Sequence, residues 1–155
     1  MASDSPGEGD ALWFLGNLVT LKATGARTRG ALTVAEFVNP AGFAPPLHRH
    51  LHEDEAFYVL SGSAVFHCAD EAFDAGPGDF VLLPVGRPHT FVVGPHDPLH
   101  ALQLTTPSGF EHFAAAAGEP ARELRLPDAG PVDPAALARI AALHGIELLG
   151  PPPQA

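Results

Sequence analysis

The stretch Gly42-Phe43-Ala44-Pro45-Pro46-Leu47-His48-Arg49-His50-Leu51-His52-Glu53-Asp54-Glu55 decides how this chain is read. Residues two apart in a strand face the same side, so His48 and His50 project together. A few polar residues then turn the chain. Glu55 opens the next apolar run, where it is placed to meet the two imidazoles across adjacent strands. Further on, Pro84-Val85-Gly86-Arg87-Pro88-His89 sets another histidine at the mouth of a strand, after a tight turn.

A lone His-x-His pair is common on polar loops. The full spacing is much more specific. It runs Gly42, five residues, His48-x-His50, four residues, Glu55, six residues, Gly62. A second element runs Gly78, five residues, Pro84-x-Gly86, two residues, His89. Three neutral imidazoles and an ionised carboxylate suit a first-row divalent metal: Ni, Mn, Fe, Co, Cu or Zn. Such a set leaves coordination positions open, which a catalytic metal needs. The spacing therefore nominates His48, His50, Glu55 and His89 as ligands of one metal ion per chain, with binding that weakens in acid.

The rest of the chain fits a small all-β domain. Its 155 residues suggest one domain. Apolar runs of strand length recur at Leu12–Leu21, Ala31–Val38, Ala56–Leu60, Ala64–Ala69, Phe80–Leu83, Thr90–Val93 and Leu99–Leu104. Gly and Pro turns break them, the pattern of a sandwich or barrel. Gly109–Ala117 reads as a short helix. Asp133-Pro134 reads as an N-cap followed by a first-turn proline, opening a helix through Ala135–His144 that stops at Gly145. The expected organisation is a disordered leader over 1–10, a barrel over 11–108, a C-terminal helical extension packed on it over 109–150, and a loose tail over 151–155.

With both spaced motifs in place, the sequence resembles the cupin superfamily. More closely it resembles the small single-domain quercetin-dioxygenase-like bacterial cupins. Trp13–Gly25, Pro45–His48, Glu53–Gly62 and Gly145–Gly150 carry that likeness, which extends over residues 11–151. One departure is Val93, where the second motif often ends in Asn. The resemblance implies a single jelly-roll β-barrel with a short C-terminal helical extension. It also implies a metal-dependent dioxygenase acting on a flavonol-like or other enolisable aromatic substrate, with dioxygen as co-substrate. Glu55 would then be both ligand and general base. The same outline fits a non-redox cyclase, isomerase or decarboxylase, or a non-enzymatic metal- or ligand-binding cupin.

Phe37, Phe57 and Phe91 are candidates to line a pocket above the metal; the competing reading makes them barrel core. Tyr58 and Phe66 are assigned to the opposite face of their strands. His52 is read as an exposed turn residue. Cys68 is the single cysteine, read as a small buried hydrophobe, so no intrachain disulfide forms. Acidic residues number 18 against 8 basic ones, a net charge of −10 that would be repelled by phosphate backbones and anionic lipid. Neither nucleic acid nor membrane is expected as a partner. The opening MASDSPGEGD lacks the basic and apolar regions of a signal peptide, so a cytoplasmic location is expected. Barrel edges are usually paired or covered, which makes a homodimer the expected assembly, with Leu12–Leu21 as a candidate for exchange.

Overall fold

The computed structural model describes residues 6–153. Residues 1–5 of the expected leader lie outside them. The end of that leader is tied down: Gly9 N donates to Leu21 O at 2.7 Å, and Leu21 N to Asp10 O at 2.9 Å.

The run Leu12–Leu21 is two strands, not one. Strands β1 (Ala11–Phe14) and β2 (Asn17–Ala23) form a hairpin. Its two-residue turn has positive φ at both positions, 52° at Leu15 and 83° at Gly16. Leu15 hides the turn from a reading of polarity, because a leucine normally signals strand. The chain continues through a four-residue helix, α1 (Gly25–Thr28), into β3 (Thr33–Asn39) and β4 (Leu47–His50). Strands β5 (Asp54–Ser61), β6 (Ala64–Cys68), β7 (Glu71–Ala75) and β8 (Phe80–Leu83) follow. Strands β9 (His89–Val93) and β10 (Leu99–Thr106) complete the central set. Helix α2 (Phe110–Ala117), strand β11 (Glu119–Pro120), helix α3 (Pro134–Leu143) and strand β12 (Ile146–Gly150) end the chain.

The strands fall into two antiparallel sheets, ordered β11-β1-β2-β3-β10-β5-β8 and β12-β4-β9-β6-β7. This is the expected jelly roll. Alternation sets which residues enter the space between the sheets. Along β10, Leu99, Ala101, Gln103 and Thr105 are all buried. Phe57, Phe66 and Phe91 meet at centroid distances of 5.2–5.5 Å. Phe66 is fully buried, which corrects its assignment to the outer face. It lies opposite Phe91 in the β6–β9 register, and residues opposite each other share a face. Tyr58 is exposed and Cys68 buried, as expected.

The C-terminal segment is more than a helical extension. Strand β12 pairs with β4, Ile146 opposite His50 and Leu148 opposite His48. The four-residue β4 needs ladder partners on both sides, and the chain end supplies one. Helix α3 begins as its sequence dictates: the Asp133 side chain accepts from Ala135 N at 3.0 Å, with proline in the first turn. Its Leu137 and Ala141 pack with Phe110 and Phe113 of α2. The connector between β11 and α3 is fastened to Trp13. The indole donates to Arg125 O at 2.9 Å, and the Arg122 and Arg125 guanidiniums lie 5.1 and 5.6 Å from its ring. No helix among the described residues is long and apolar enough to cross a membrane.

Gly62 closes the β5–β6 turn at φ 78°, and a Cβ there would sit 2.2 Å from Pro98 O. Gly62→Ala is therefore expected to cost about 2–4 kcal/mol of stability, because backbone strain and a backbone clash add. Denaturant midpoints of the two proteins check this; equal midpoints would refute it.

Candidate metal centre

His48 and His50 leave one face of β4, and His89 opens β9, paired directly with His48. Glu55 sits at the start of β5, in the opposite sheet. The carboxylate thus meets the imidazoles across the gap between the sheets, not across adjacent strands. The reason is the polar turn Leu51–Glu53, which carries the chain from one sheet to the other. One donor atom from each of His48, His50, Glu55 and His89 lies within 4.8 Å of the others.

Each imidazole is anchored through its Nδ1. His48 Nδ1 donates to Pro46 O at 2.8 Å, His89 Nδ1 to Arg87 O at 3.0 Å, and His50 Nδ1 to the Glu53 carboxylate at 2.8 Å. Each ring therefore turns its Nε2 toward the common centre. Anchoring of the second ring nitrogen is the usual support of a metal-binding histidine. Glu55 Oε2 lies 2.8 Å from His50 Nε2 and 3.0 Å from His89 Nε2. Its Oε1 accepts from Gln103 Nε2 at 2.8 Å. The donor set, the ring orientations and the burial all fit a divalent metal, and the cluster can bind one.

The charges at this centre are balanced among its own residues. Burial and the neighbouring His89 push His48 down to about 4, so it is neutral at pH 7. Burial works against a charge on His50 too. The carboxylates of Glu55 and Glu53 override that and raise it to about 10. Burial alone would raise Glu55; the His50 cation and the hydrogen bonds from His50 and His89 hold it well below the usual carboxylate range.

A cavity of about 70 Å³ adjoins this centre. His48, His50, Glu55, Phe37, Phe57 and Phe91 are among its walls. The three phenylalanines thus serve as core and lining at once. His52 is exposed in the turn after β4. His100 pairs with Glu36 at 3.1 Å, and His144 bonds Ile140 O, both away from the cluster. Two residues at the centre were not singled out from the sequence, Glu53 and Gln103. Gln103 had a signal: it is a polar residue at an inward position of an otherwise apolar strand.

Residues 36–105 match the family model of the cupin domain. The chain carries a cupin domain. It is 28% identical over 114 residues to the quercetin 2,3-dioxygenase of Bacillus subtilis, covering 74% of this chain and 34% of that relative. The chain thus spans about a third of that protein. Among solved structures, KdgF from a Halomonas species superimposes with TM-score 0.56 at 21% identity, over 63% of this chain and 84% of that one. A predicted oxalate decarboxylase from Thermotoga maritima superimposes with TM-score 0.55 at 24% identity, over 59% and 80%. The two structures show that the fold is shared.

The cupin's metal affinity is expected to rise with pH. A metal must displace the proton that His50 keeps up to about pH 10. Apparent zinc affinity should then increase about tenfold per pH unit across roughly pH 7–9, with one proton released per ion. Competition titration against a chelator of known affinity measures the slope. A flat profile over that range would rule out a proton on His50.

Proposed function

We propose that this cupin is a metal-dependent dioxygenase acting on a neutral, enolisable aromatic substrate of the flavonol-like class. The observation carrying the reading is an ionised ligand-set carboxylate, Glu55, on the wall of an apolar, phenylalanine-lined cavity. A divalent transition metal at His48, His50, Glu55 and His89 would supply Lewis acidity and, where redox-active, an electron path to dioxygen.

The chain's own residues do the rest. Glu55 accepts the proton of the substrate hydroxyl, a role open to a carboxylate within hydrogen-bond reach. Gln103 fixes the carboxylate orientation through Oε1. Phe37, Phe57 and Phe91 exclude water and offer ring faces and edges to an aromatic substrate. Among the described residues, no lysine or arginine lines the cavity. That supports a neutral substrate over a small dicarboxylate, which would lack a counter-charge beyond the metal.

Size bears on the substrate as well. The inner cavity is smaller than the roughly 300–1,000 Å³ of a typical ligand site. Leu15, Phe43, Pro45, Pro46, Leu137 and Leu148 line both it and a larger outer groove of about 630 Å³. A substrate of several rings would place one ring inside and extend through these residues.

A second reading drops the oxygen. The carboxyl of Glu55, held well below the usual carboxylate range by the neighbouring His50, is a good ligand and a weak base. That favours plain Lewis-acid chemistry, such as an isomerisation, cyclisation or decarboxylation. Oxygen separates the two. Metal-loaded protein screened against flavonols and phenolic polyketides should consume dioxygen in step with substrate loss, and stop in its absence. Turnover that persists anaerobically, with no uptake in air, would sink the dioxygenase reading. Separately, Glu55→Gln at matched metal content should lower turnover by about 100-fold or more if Glu55 is the base. Unchanged turnover would leave it a ligand only.

A further inference from the structure

The catalytic proposal uses only one end of the cavity. Glu55 lies opposite Thr105 on β10, whereas Asn39 lies opposite Leu99 on the same strand. The two positions are separated by six residues of β10, roughly 20 Å of strand. Asn17 and Asn39 both line the cavity at that far end, each 1% exposed. Two buried asparagines facing an apolar, aromatic cavity need a reason. Buried polar groups are hydrogen-bonded as a rule, and an unmatched one is costly.

The hydrogen bonds run in one direction. Leu15 O can only accept, and it takes the Asn17 amide at 3.5 Å, so Asn17 turns its Oδ1 away. Asn17 Oδ1 then takes the Asn39 Nδ2–H at 2.9 Å. Asn39 must therefore present its Oδ1 elsewhere, and that oxygen has no hydrogen-bond partner among the described residues. Gln103 shows the same logic. Its Nε2 is fixed on the Glu55 carboxylate, and its Oε1 has no partner. The cavity thus carries two orphan acceptors and no lysine or arginine.

We propose that Asn39 Oδ1 is a ligand-binding acceptor that reads a hydroxyl on the part of an aromatic ligand remote from the metal ligands. The ligand class is a neutral phenol or polyphenol that donates at this end. A methyl ether or ketone at the same place meets an oxygen it cannot bond. Asn17 is the positioning residue: by accepting from Asn39 Nδ2 it fixes which way the Asn39 amide is turned. The inference rests on reading the cavity as the substrate site. It is independent of whether oxygen is consumed.

Phenol and anisole are the probes, matched in ring and differing in the donor. Their binding to the full chain is followed by titration, both zinc-saturated and chelator-treated. Phenol should bind roughly three- to tenfold more tightly than anisole, the range of one neutral buried hydrogen bond. The preference should survive zinc removal, because it does not arise at the metal. Asn39→Leu should bring the ratio to near one while leaving zinc affinity unchanged. In the native protein, phenol should also shift the Asn39 side-chain amide NMR signals more than anisole does, which keeps the test open if the variant does not fold. A native ratio near one would mean that water alone meets this oxygen. A ratio lost with zinc would place the contact at the metal centre, and unmoved amide signals would remove Asn39 from binding. Each of these results overturns the proposal, whatever the oxygen experiment gives.

Discussion

Glu55 places a carboxylate in the dry space between two sheets, and an ionised carboxylate there needs partners on both oxygens. One oxygen faces the His50 and His89 Nε2 atoms, and the other takes the Gln103 amide. Those partners must themselves be held. His50 and His89 are anchored through Nδ1 to Glu53 and Arg87 O, and His48 to Pro46 O. The centre is thus a set of mutually required contacts contributed by four strands, β4, β5, β9 and β10. A buried polar network of this kind loses stability wherever a member is left unsatisfied, as Gln103 Oε1 is among the described residues. The centre also has the donor set a metal would need: one nitrogen from each of three histidines and a carboxylate oxygen converge on one point, with His50 giving up its proton when the metal binds.

The surrounding apolar walls give that centre its character. Phe37, Phe57 and Phe91 bring low dielectric up to the ligands, which strengthens each charge interaction there. The same walls make the polar exceptions meaningful. Gln103 and the Asn17–Asn39 pair are the neutral polar side chains in a lining otherwise built from apolar residues, proline and the metal ligands. With no lysine or arginine among the described residues of the wall, selection among substrates falls to shape and to hydrogen-bond polarity. The C-terminal segment shares in this. Ile146 of β12 lines the cavity, and Leu148 of β12 and Leu137 of α3 line both it and the outer groove.

The two spaced motifs made the ligand set and the all-β class legible, because strand parity and turn chemistry are local. Phe57 and Phe91 as inward residues followed from the same parity, counted from Glu55 and His89. Where local rules conflicted with pairing, the reading failed. Phe66 was placed outside because nothing in its own strand reveals which face Phe91 will impose. The hairpin inside Leu12–Leu21 was missed because a leucine occupies a left-handed position. The segment after Gly145 read as a family likeness, and its role as a strand beside β4 depends on a partner about a hundred residues earlier in the chain.

By itself, then, the sequence determined which side chains form the His/Glu cluster by type and spacing, and which pairs share a face. The tertiary structure decided that Glu55 faces the histidines from the opposite sheet, that Gln103 steadies it, and that the Oδ1 of Asn39 has no hydrogen-bond partner among the described residues. The division has a physical cause. Parity is fixed within a few residues by backbone geometry. Contacts across a sandwich depend on register and sheet order, which are set by the packing of the whole chain.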